Sequence, residues 1–310
     1  MKAVIIIQGP TAVGKSSLAL ELAQKFSLDI ISADSRQVYK YMDLATAKPS
    51  PEELKLVKHH LIDVITPDEA YNAGRFAREA TELVDKTSLE FPIICGGTGF
   101  YISSFLEGLC QIPEISPDIR DSLTEDWEKL GNEVMYQQLL KRDPFVAQKV
   151  ASNDKQRIIR ALEVFYSSKK RLSSYWDEQG LLVPRKVLNI LILDDRETIY
   201  ERINKRYEKM VISGLLEEIR LLLKMGYDEK SPGLTAVGYK ELLPYLLHNS
   251  DLAECINLAK QHTRNYAKRQ ITWYKRSKFN LVFYRKSISY NSIDVYIKKF
   301  IDNYGNIGDY

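Results

Sequence analysis

Eight residues near the start, Gly9-Pro10-Thr11-Ala12-Val13-Gly14-Lys15-Ser16, fit the pattern Gly-x-x-x-x-Gly-Lys-Ser in full. Glycines let such a loop turn its backbone N–H groups toward a phosphate, and the helix that follows adds its positive N-terminal end. Lys15 supplies a point charge, and Ser16 is placed to ligate Mg²⁺. The loop announces polyphosphate without saying what is done to it. It could split a triphosphate, phosphorylate a metabolite, or hold a diphosphate while other chemistry happens. A nucleotide-cleaving P-loop usually has a partner strand ending in an aspartate that holds Mg²⁺. Here the candidates are weak. Phe91-Pro-Ile-Ile-Cys95 ends in Gly-Gly-Thr, and Leu191-Ile-Leu-Asp194-Asp195 lies far downstream. The closer acid is Asp34, just beyond Ile30-Ile-Ser32, in the dense polar set Asp34-Ser35-Arg36-Gln37. A carboxylate there suits a general base at least as well as a metal ligand.

These groups must be held by regular elements. An apolar run from Lys2 to Ile7 reads as a buried strand, Lys15–Phe26 as a helix, and Leu28–Ser32 and Phe91–Cys95 as further strands. That alternation predicts an α/β fold: a P-loop-type parallel sheet core flanked by helices. Prolines at 113 and 117 open a charged stretch, Asp118 to Gly180, with apolar residues Ile158, Ala161, Leu162 and Phe165 at helical spacing. Strand signal returns at Val187–Leu193, beyond Pro184. The chain is therefore expected to form a core from 1–114 and 185–310, with an all-helical insertion at 115–184. From Arg196 onward it reads as mainly helical, with a last strand at Phe279–Tyr284.

Bulk properties narrow the class. The chain has 310 residues, 45% hydrophobic and 27% charged, with a net charge of +3. No apolar run approaches the ~20 residues of a membrane helix, so a cytoplasmic protein without a membrane partner is expected. Cys95, Cys110 and Cys255 form neither a CxxC pair nor a Cys/His cluster, so no disulfide framework or zinc site is expected. His59-His60, read as adjacent helical residues, would point apart and make no metal pair.

Four segments in order, GPTAVGKS, ISADSRQVYKYMDLATAKP (residues 31–49), GGTGFY (96–101) and KRQITW (268–273), resemble the tRNA dimethylallyltransferase (tRNA isopentenyltransferase) family. The resemblance spans nearly the whole chain. It implies transfer of a dimethylallyl group from dimethylallyl diphosphate to N6 of the adenosine 3′ of the anticodon in tRNA, releasing diphosphate. It implies that Gly9 to Ser16 hold the diphosphate, with Mg²⁺ as cofactor. Asp34 would accept the proton of the attacking amine. Thr98 would hold the diphosphate or the base beside it, and Arg206 would face the leaving group. The anticodon stem-loop would be met by Asp34, Ser35, Arg36 and Gln37, by Arg120, and by Gln156, Arg157, Ile158, Ile159 and Arg160. Val237, Gly238, Tyr239, Lys240, Lys268, Arg269, Gln270, Trp273 and Lys275 complete that implied set. A monomer is expected. One departure is Ala45, where the family pattern Ile-Gly-Thr-Ala-Lys-Pro has glycine; if that position needs positive φ, a methyl group costs energy.

Charge patterning supports an RNA partner independently. From Lys260 to Lys286 there is no acid, but there are nine basic residues and six interleaved aromatics. Lys260, Arg264 and Lys268 are four apart and share a helix face, as a phosphate-contacting stripe would. A P-loop kinase of a small metabolite would explain the loop but not this stripe. Adenylate isopentenyltransferase would share the chemistry on a free nucleotide, and an RNA-binding module without catalysis would leave the P-loop unexplained.

Overall fold

The computed structural model describes residues 3–86, 91–110, 112–113, 115–176, 185–287 and 290–304. Lys2 and the sequence-derived boundary residues Glu114, Gly180 and Pro184 lie outside the described residues. The chain divides into two compact units, Met1–Phe105 with Pro184–Tyr310, and Leu106–Val183.

The first unit opens with β1 (Ala3–Gln8), α1 (Lys15–Phe26), β2 (Ile30–Ser32), α2 (Pro51–Leu56), β3 (His59–His60), α3 (Ala73–Lys86), β4 (Ile93–Gly96) and α4 (Gly99–Glu107). The helical unit holds α5 (Pro117–Arg142), α6 (Pro144–Ala147), α7 (Lys155–Ser168) and α8 (Leu172–Trp176). The chain then returns with β5 (Lys186–Leu193), α9 (Arg196–Ile212), α10 (Leu215–Lys224), α11 (Leu243–His248), α12 (Leu252–Tyr274), β6 (Leu281–Tyr284) and α13 (Tyr290–Tyr304).

Six strands form one parallel sheet in the order β3-β2-β4-β1-β5-β6. Every residue of β1 is buried, as expected of a central parallel strand covered on both faces. Its one polar member, Gln8, donates to Asn189 of β5 at 2.7 Å. Leu18, Leu22 and Ala23 of α1 and Ile293, Ile297 and Phe300 of α13 join the strand residues in one core. A second core gathers Val38, Tyr39 and Met42 with Leu215, Ile219 and Leu222 of α10 and with Tyr239 and Leu242. Because all six strands run the same way, the residues that follow them emerge at one edge. At that edge, in open α/β sheets, ligands bind.

The helical unit has its own core, built from Leu123, Met135 and Leu139 of α5 and Ile158, Ile159 and Leu162 of α7. It begins at Leu106 rather than at 115, because Cys110, Ile112 and Ile115 already pack on that core. Two local expectations are corrected. His59 and His60 form a short strand beside β2, not part of a helix. His60 Nε2 pairs with Asp29 at 2.8 Å and His59 Nδ1 lies 2.9 Å from the Val57 carbonyl. Ala45 does not adopt positive φ; Ala47 does, at +52°, so the methyl of Ala45 carries no backbone strain. Among the described residues, no helix is long and apolar enough to cross a membrane.

Candidate active site

The P-loop leaves β1 and turns into α1 through two left-handed residues, Ala12 (φ +62°) and Gly14 (φ +91°). A cavity of about 350 Å³ opens at this turn, lined by Gly14, Lys15, Ser16, Lys48, Arg202 and Arg206 among others. Lys15 is half-buried, and burial holds its ammonium below the ordinary lysine value. The Asp34 carboxylate opposes that shift, and Arg206 adds to it. Cys95 itself is pushed up to about 11 by burial, against the pull of Lys15. It is therefore a neutral thiol at physiological pH.

Arg206 projects from α9 and donates through Nη2 to the Thr11 hydroxyl at 2.8 Å. Burial lowers its pKa and the Asp34 carboxylate raises it. Asp34 thus acts electrostatically on both cations of the P-loop. Asp34 follows β2, where its Oδ1 accepts from the Arg36 amide at 2.9 Å. The next residue, Ser35, donates its amide to Thr98 Oγ1 at 3.1 Å, and Thr98 returns its own amide to the Ala33 carbonyl at 3.3 Å. The ends of β2 and β4 are therefore laced together with Asp34 and Thr98 at the lacing.

Gln37 braces the same loop. It accepts from Ser32 Oγ at 2.8 Å and donates to the Ala47 carbonyl at 3.0 Å. The Lys48 ammonium contacts the Tyr39 carbonyl, Asp43 and Asp63. Glu218 of α10 accepts from the Leu44 amide and from the Tyr239 hydroxyl. Arg36 reaches the Pro232 carbonyl at 3.3 Å.

Helix α12 closes the site with one face that the charge pattern did not reveal. Tyr266, Gln270 and Tyr274 are four residues apart and share that face. Gln270 accepts from the Thr11 amide at 2.9 Å and donates to the Gly97 carbonyl at 2.7 Å, joining the P-loop to the loop that carries Thr98. A Cβ on Gly97 would stand 2.4 Å from Gln270 Nε2, so only glycine admits this approach. The Tyr274 hydroxyl is shared between the Gly9 and Gly97 carbonyls at 3.2 and 3.3 Å. Tyr266 is pushed up to about 12 by burial and by the Asp34 charge, while its hydrogen bond with Thr98 opposes the rise. Tyr266 and Tyr274 are the residues sequence reasoning missed. Their spacing with Gln270 was the available signal, hidden behind the basic stripe.

The residues expected to meet RNA divide sharply. Lys240, Lys268, Arg269, Trp273 and Lys275 are exposed. Gln270, Gly238 and Tyr239 are buried, and Gln270 and Tyr239 spend their polar atoms inside the protein; Val237 is partly buried. In the helical unit Gln156 and Arg157 are exposed, but Ile158 and Ile159 lie in its core, because they occupy the inner face of α7. Arg120 and Arg160 both reach Glu163, whose side chain has no exposure, at 2.6 to 2.8 Å. The acid-free stripe also divides. Lys260 pairs with Glu208 at 2.7 Å and Arg264 with Asn204 at 2.7 Å, both on α9. Arg285 and Lys286 turn to Val13 and Asp195 at the edge of the sheet.

Ser16, at the first turn of α1, offers an exposed hydroxyl. Asp194, the other acid near the loop, is committed to Arg202 at 2.8 Å, and Asp195 to Lys286. No cluster of three or more His, Cys, Asp or Glu suited to a metal occurs among the described residues. This donor set fits a metal held mainly by phosphate oxygens and water, with Ser16 as one protein ligand.

Known proteins resemble this chain along most of its length. The pattern of the IPP transferase family matches residues 37–277. A tRNA dimethylallyltransferase of Acetivibrio thermocellus is 42% identical over 280 residues, covering 89% of this chain and 90% of that protein. One from Carboxydothermus hydrogenoformans is 44% identical over 277 residues, covering 88% of each. Among solved structures, the tRNA delta(2)-isopentenylpyrophosphate transferase of Staphylococcus epidermidis aligns with a TM-score of 0.68 at 36% identity, covering 98% of this chain and 99% of that one. A eukaryotic dimethylallyltransferase acting on tRNA aligns at 0.82 with 28% identity, covering 98% of this chain and 80% of that one. With the family pattern matched over residues 37–277 and relatives 42–44% identical over 88–89% of its length, this chain belongs to the IPP transferase family.

Proposed function

We propose that the protein transfers a dimethylallyl group from dimethylallyl diphosphate to N6 of the adenosine 3′ of the anticodon in tRNA. The observation that carries this reading is the pairing of a phosphate grip with a carboxylate. Asp34 follows β2 and is laced through the Ser35 amide to Thr98 at the end of β4, the strand beside β1 and its P-loop, where its charge opposes the burial shifts of Lys15 and Arg206.

In the reaction the allylic C1–O bond breaks, and its electron pair leaves with the diphosphate. The N6 lone pair forms the new C–N bond, and the N6 proton passes to Asp34. An exocyclic adenine amine is a poor nucleophile, so a positioned base contributes substantially. Arg206 and Lys15 neutralise charge that grows on the leaving oxygen, in a site partly shielded from water. Thr98, held by the Asp34 loop, is placed to orient the diphosphate or the entering base. Ser16 would hold Mg²⁺, which when bound supplies further neutralisation of the diphosphate.

The target base must leave the stack of its loop to reach Asp34. The exposed residues Lys240, Lys268, Arg269, Trp273 and Lys275 support contact with the RNA backbone and with an unstacked base. Arg36, Arg120, Gln156, Arg157 and Arg160 are proposed to extend that contact.

Purified protein with dimethylallyl diphosphate and either unmodified tRNA or AMP tests the reading. Prenylated tRNA is expected. Prenylation of AMP alone, or ATP-dependent phosphorylation without prenyl transfer, would overturn it.

A further inference from the structure

Four strand ends supply named pieces of the site: β1 the P-loop, β2 Asp34, β4 Thr98, and β5 the lead into α9 with Arg206. β6 belongs to the same parallel edge, its last residue Tyr284 paired with Leu193 of β5. The residue after it is Arg285, beyond the stretch matched by the family pattern. Its neighbour Lys286 pairs with Asp195, so the end of β6 is pinned to the end of β5.

The Arg285 guanidinium reaches the phosphate loop and donates through Nη1 to the Val13 carbonyl at 2.6 Å. It also covers Gly14, where a Cβ would stand 1.4 Å from Nη1 and 2.4 Å from the central guanidinium carbon. Gly14 is favoured by its φ of +91°, and a side chain there would also displace the guanidinium from this position. A trans peptide directs its C=O and N–H to opposite sides. With the Val13 carbonyl turned to Arg285, the Gly14 amide is turned away from it. A hydrogen bond from a charged donor is shorter and stronger than a neutral one, and bonds in series polarise one another.

We propose that Arg285 is a positioning residue for the diphosphate, orienting and polarising the Val13–Gly14 peptide so that the Gly14 amide is presented to the ligand as a stronger donor. It acts through Val13 and does not touch the reacting atoms. The proposal rests on the reading of the P-loop cavity as a diphosphate site.

The test uses the full chain with Arg285→Ala, Arg285→Gln and Arg285→Lys. Binding of inorganic diphosphate is measured by calorimetry, KM for dimethylallyl diphosphate and kcat by prenyl transfer, tRNA affinity by filter binding, and thermal midpoint by calorimetry. Loss of one charge-assisted hydrogen bond corresponds to about tenfold. Arg285→Ala should weaken inorganic diphosphate and raise KM for dimethylallyl diphosphate by about that factor, with tRNA affinity unchanged. Arg285→Gln, which keeps a donor without charge, should fall between, and Arg285→Lys should restore most of the loss. If Arg285→Ala does not fold, the ordering of the other two variants carries the test. A lowered thermal midpoint with diphosphate affinity and KM at wild-type values would overturn the proposal and leave Arg285 a staple of the C-terminal segment. So would weakened tRNA binding with diphosphate unaffected. Diphosphate binding is read without tRNA, so failure of the wild type to prenylate would overturn the proposed function and leave this measurement standing.

Discussion

Arg206 and Thr11 meet through a 2.8 Å hydrogen bond that carries a guanidinium from α9 into the P-loop. The contact ties the anion grip to a residue almost two hundred positions downstream, and it fixes the guanidinium before substrate arrives. Arg206→Ala should lower kcat by about two to three orders of magnitude, the usual cost of removing one preorganised donor. Arg206→Lys keeps charge without the fork and should recover only part. Single-turnover prenyl transfer measures both; a kcat within threefold of wild type in Arg206→Ala would remove Arg206 from the chemistry.

Asp34→Asn is the clean variant for the base. An amide oxygen can still accept from the Arg36 amide, so the turn survives while proton acceptance is lost. Turnover is expected to drop about a hundredfold or more with tRNA affinity within twofold. Equal losses in both would assign Asp34 to loop architecture.

Gln270 joins two loops from inside the protein. Gln270→Ala orphans the Thr11 amide, at about 1–3 kcal/mol if it stays dry, and leaves the Gly97 carbonyl with the Tyr274 hydroxyl alone. The variant should unfold at lower urea and lose activity, while Lys268→Ala and Arg269→Ala should weaken tRNA binding and flatten its salt dependence without changing stability. The opposite pattern would mean that Gln270 faces RNA.

Glu163 titrates usefully. Burial works to raise its pKa, but hydrogen bonds from Arg120 and then Arg160 outweigh it, and the carboxyl sits below its ordinary 4.5. A lowered carboxylate contributes stability that is complete above the unfolded value and is lost as pH falls through the folded one. Urea midpoints between pH 6 and the acid limb should therefore decline more steeply in the wild type than in Glu163→Gln. Parallel curves would show that the two arginines do not depend on this carboxylate.

Lys15 is depressed too, but by burial, which disfavours its charged form, and not by partners that favour it. Burial depresses its pKa in the free protein, and a bound diphosphate would raise it. Binding inorganic diphosphate at alkaline pH should take up protons, seen by calorimetry in two buffers of different ionisation enthalpy. Lys15→Arg, always charged, should take up fewer; identical uptake would place the proton elsewhere.

Local signals were legible where they were strong. The bounds of α1 follow from Gly14-Lys15-Ser16 and the apolar spacing behind it, and β1 from an unbroken apolar run. The strand at His59–His60 was not legible, because two polar residues forming one edge pairing carry no periodicity. The insertion boundary was blurred because Cys110 and Ile112 sit in a proline-marked connection yet pack on the helical core. In α12 the lysines and arginines dominate the composition, while the residues that join the loops, Tyr266, Gln270 and Tyr274, announce themselves only by spacing. Whether position 45 needs positive φ was open in the sequence, and the structure places the positive φ two residues later, at Ala47. Arg285 could not be placed at all without knowing that β6 runs parallel to β5.

The order of the pieces along the chain has a consequence for biosynthesis. A nascent polypeptide that has emerged as far as β4 already carries the P-loop, Asp34 and Thr98. It still lacks Arg206, the Gln270 clasp and the sixth strand, which belong to its last third. The P-loop therefore gains its contacts with Arg206, Gln270 and Arg285 only after about two thirds of the chain has been made, and the last of them near its end.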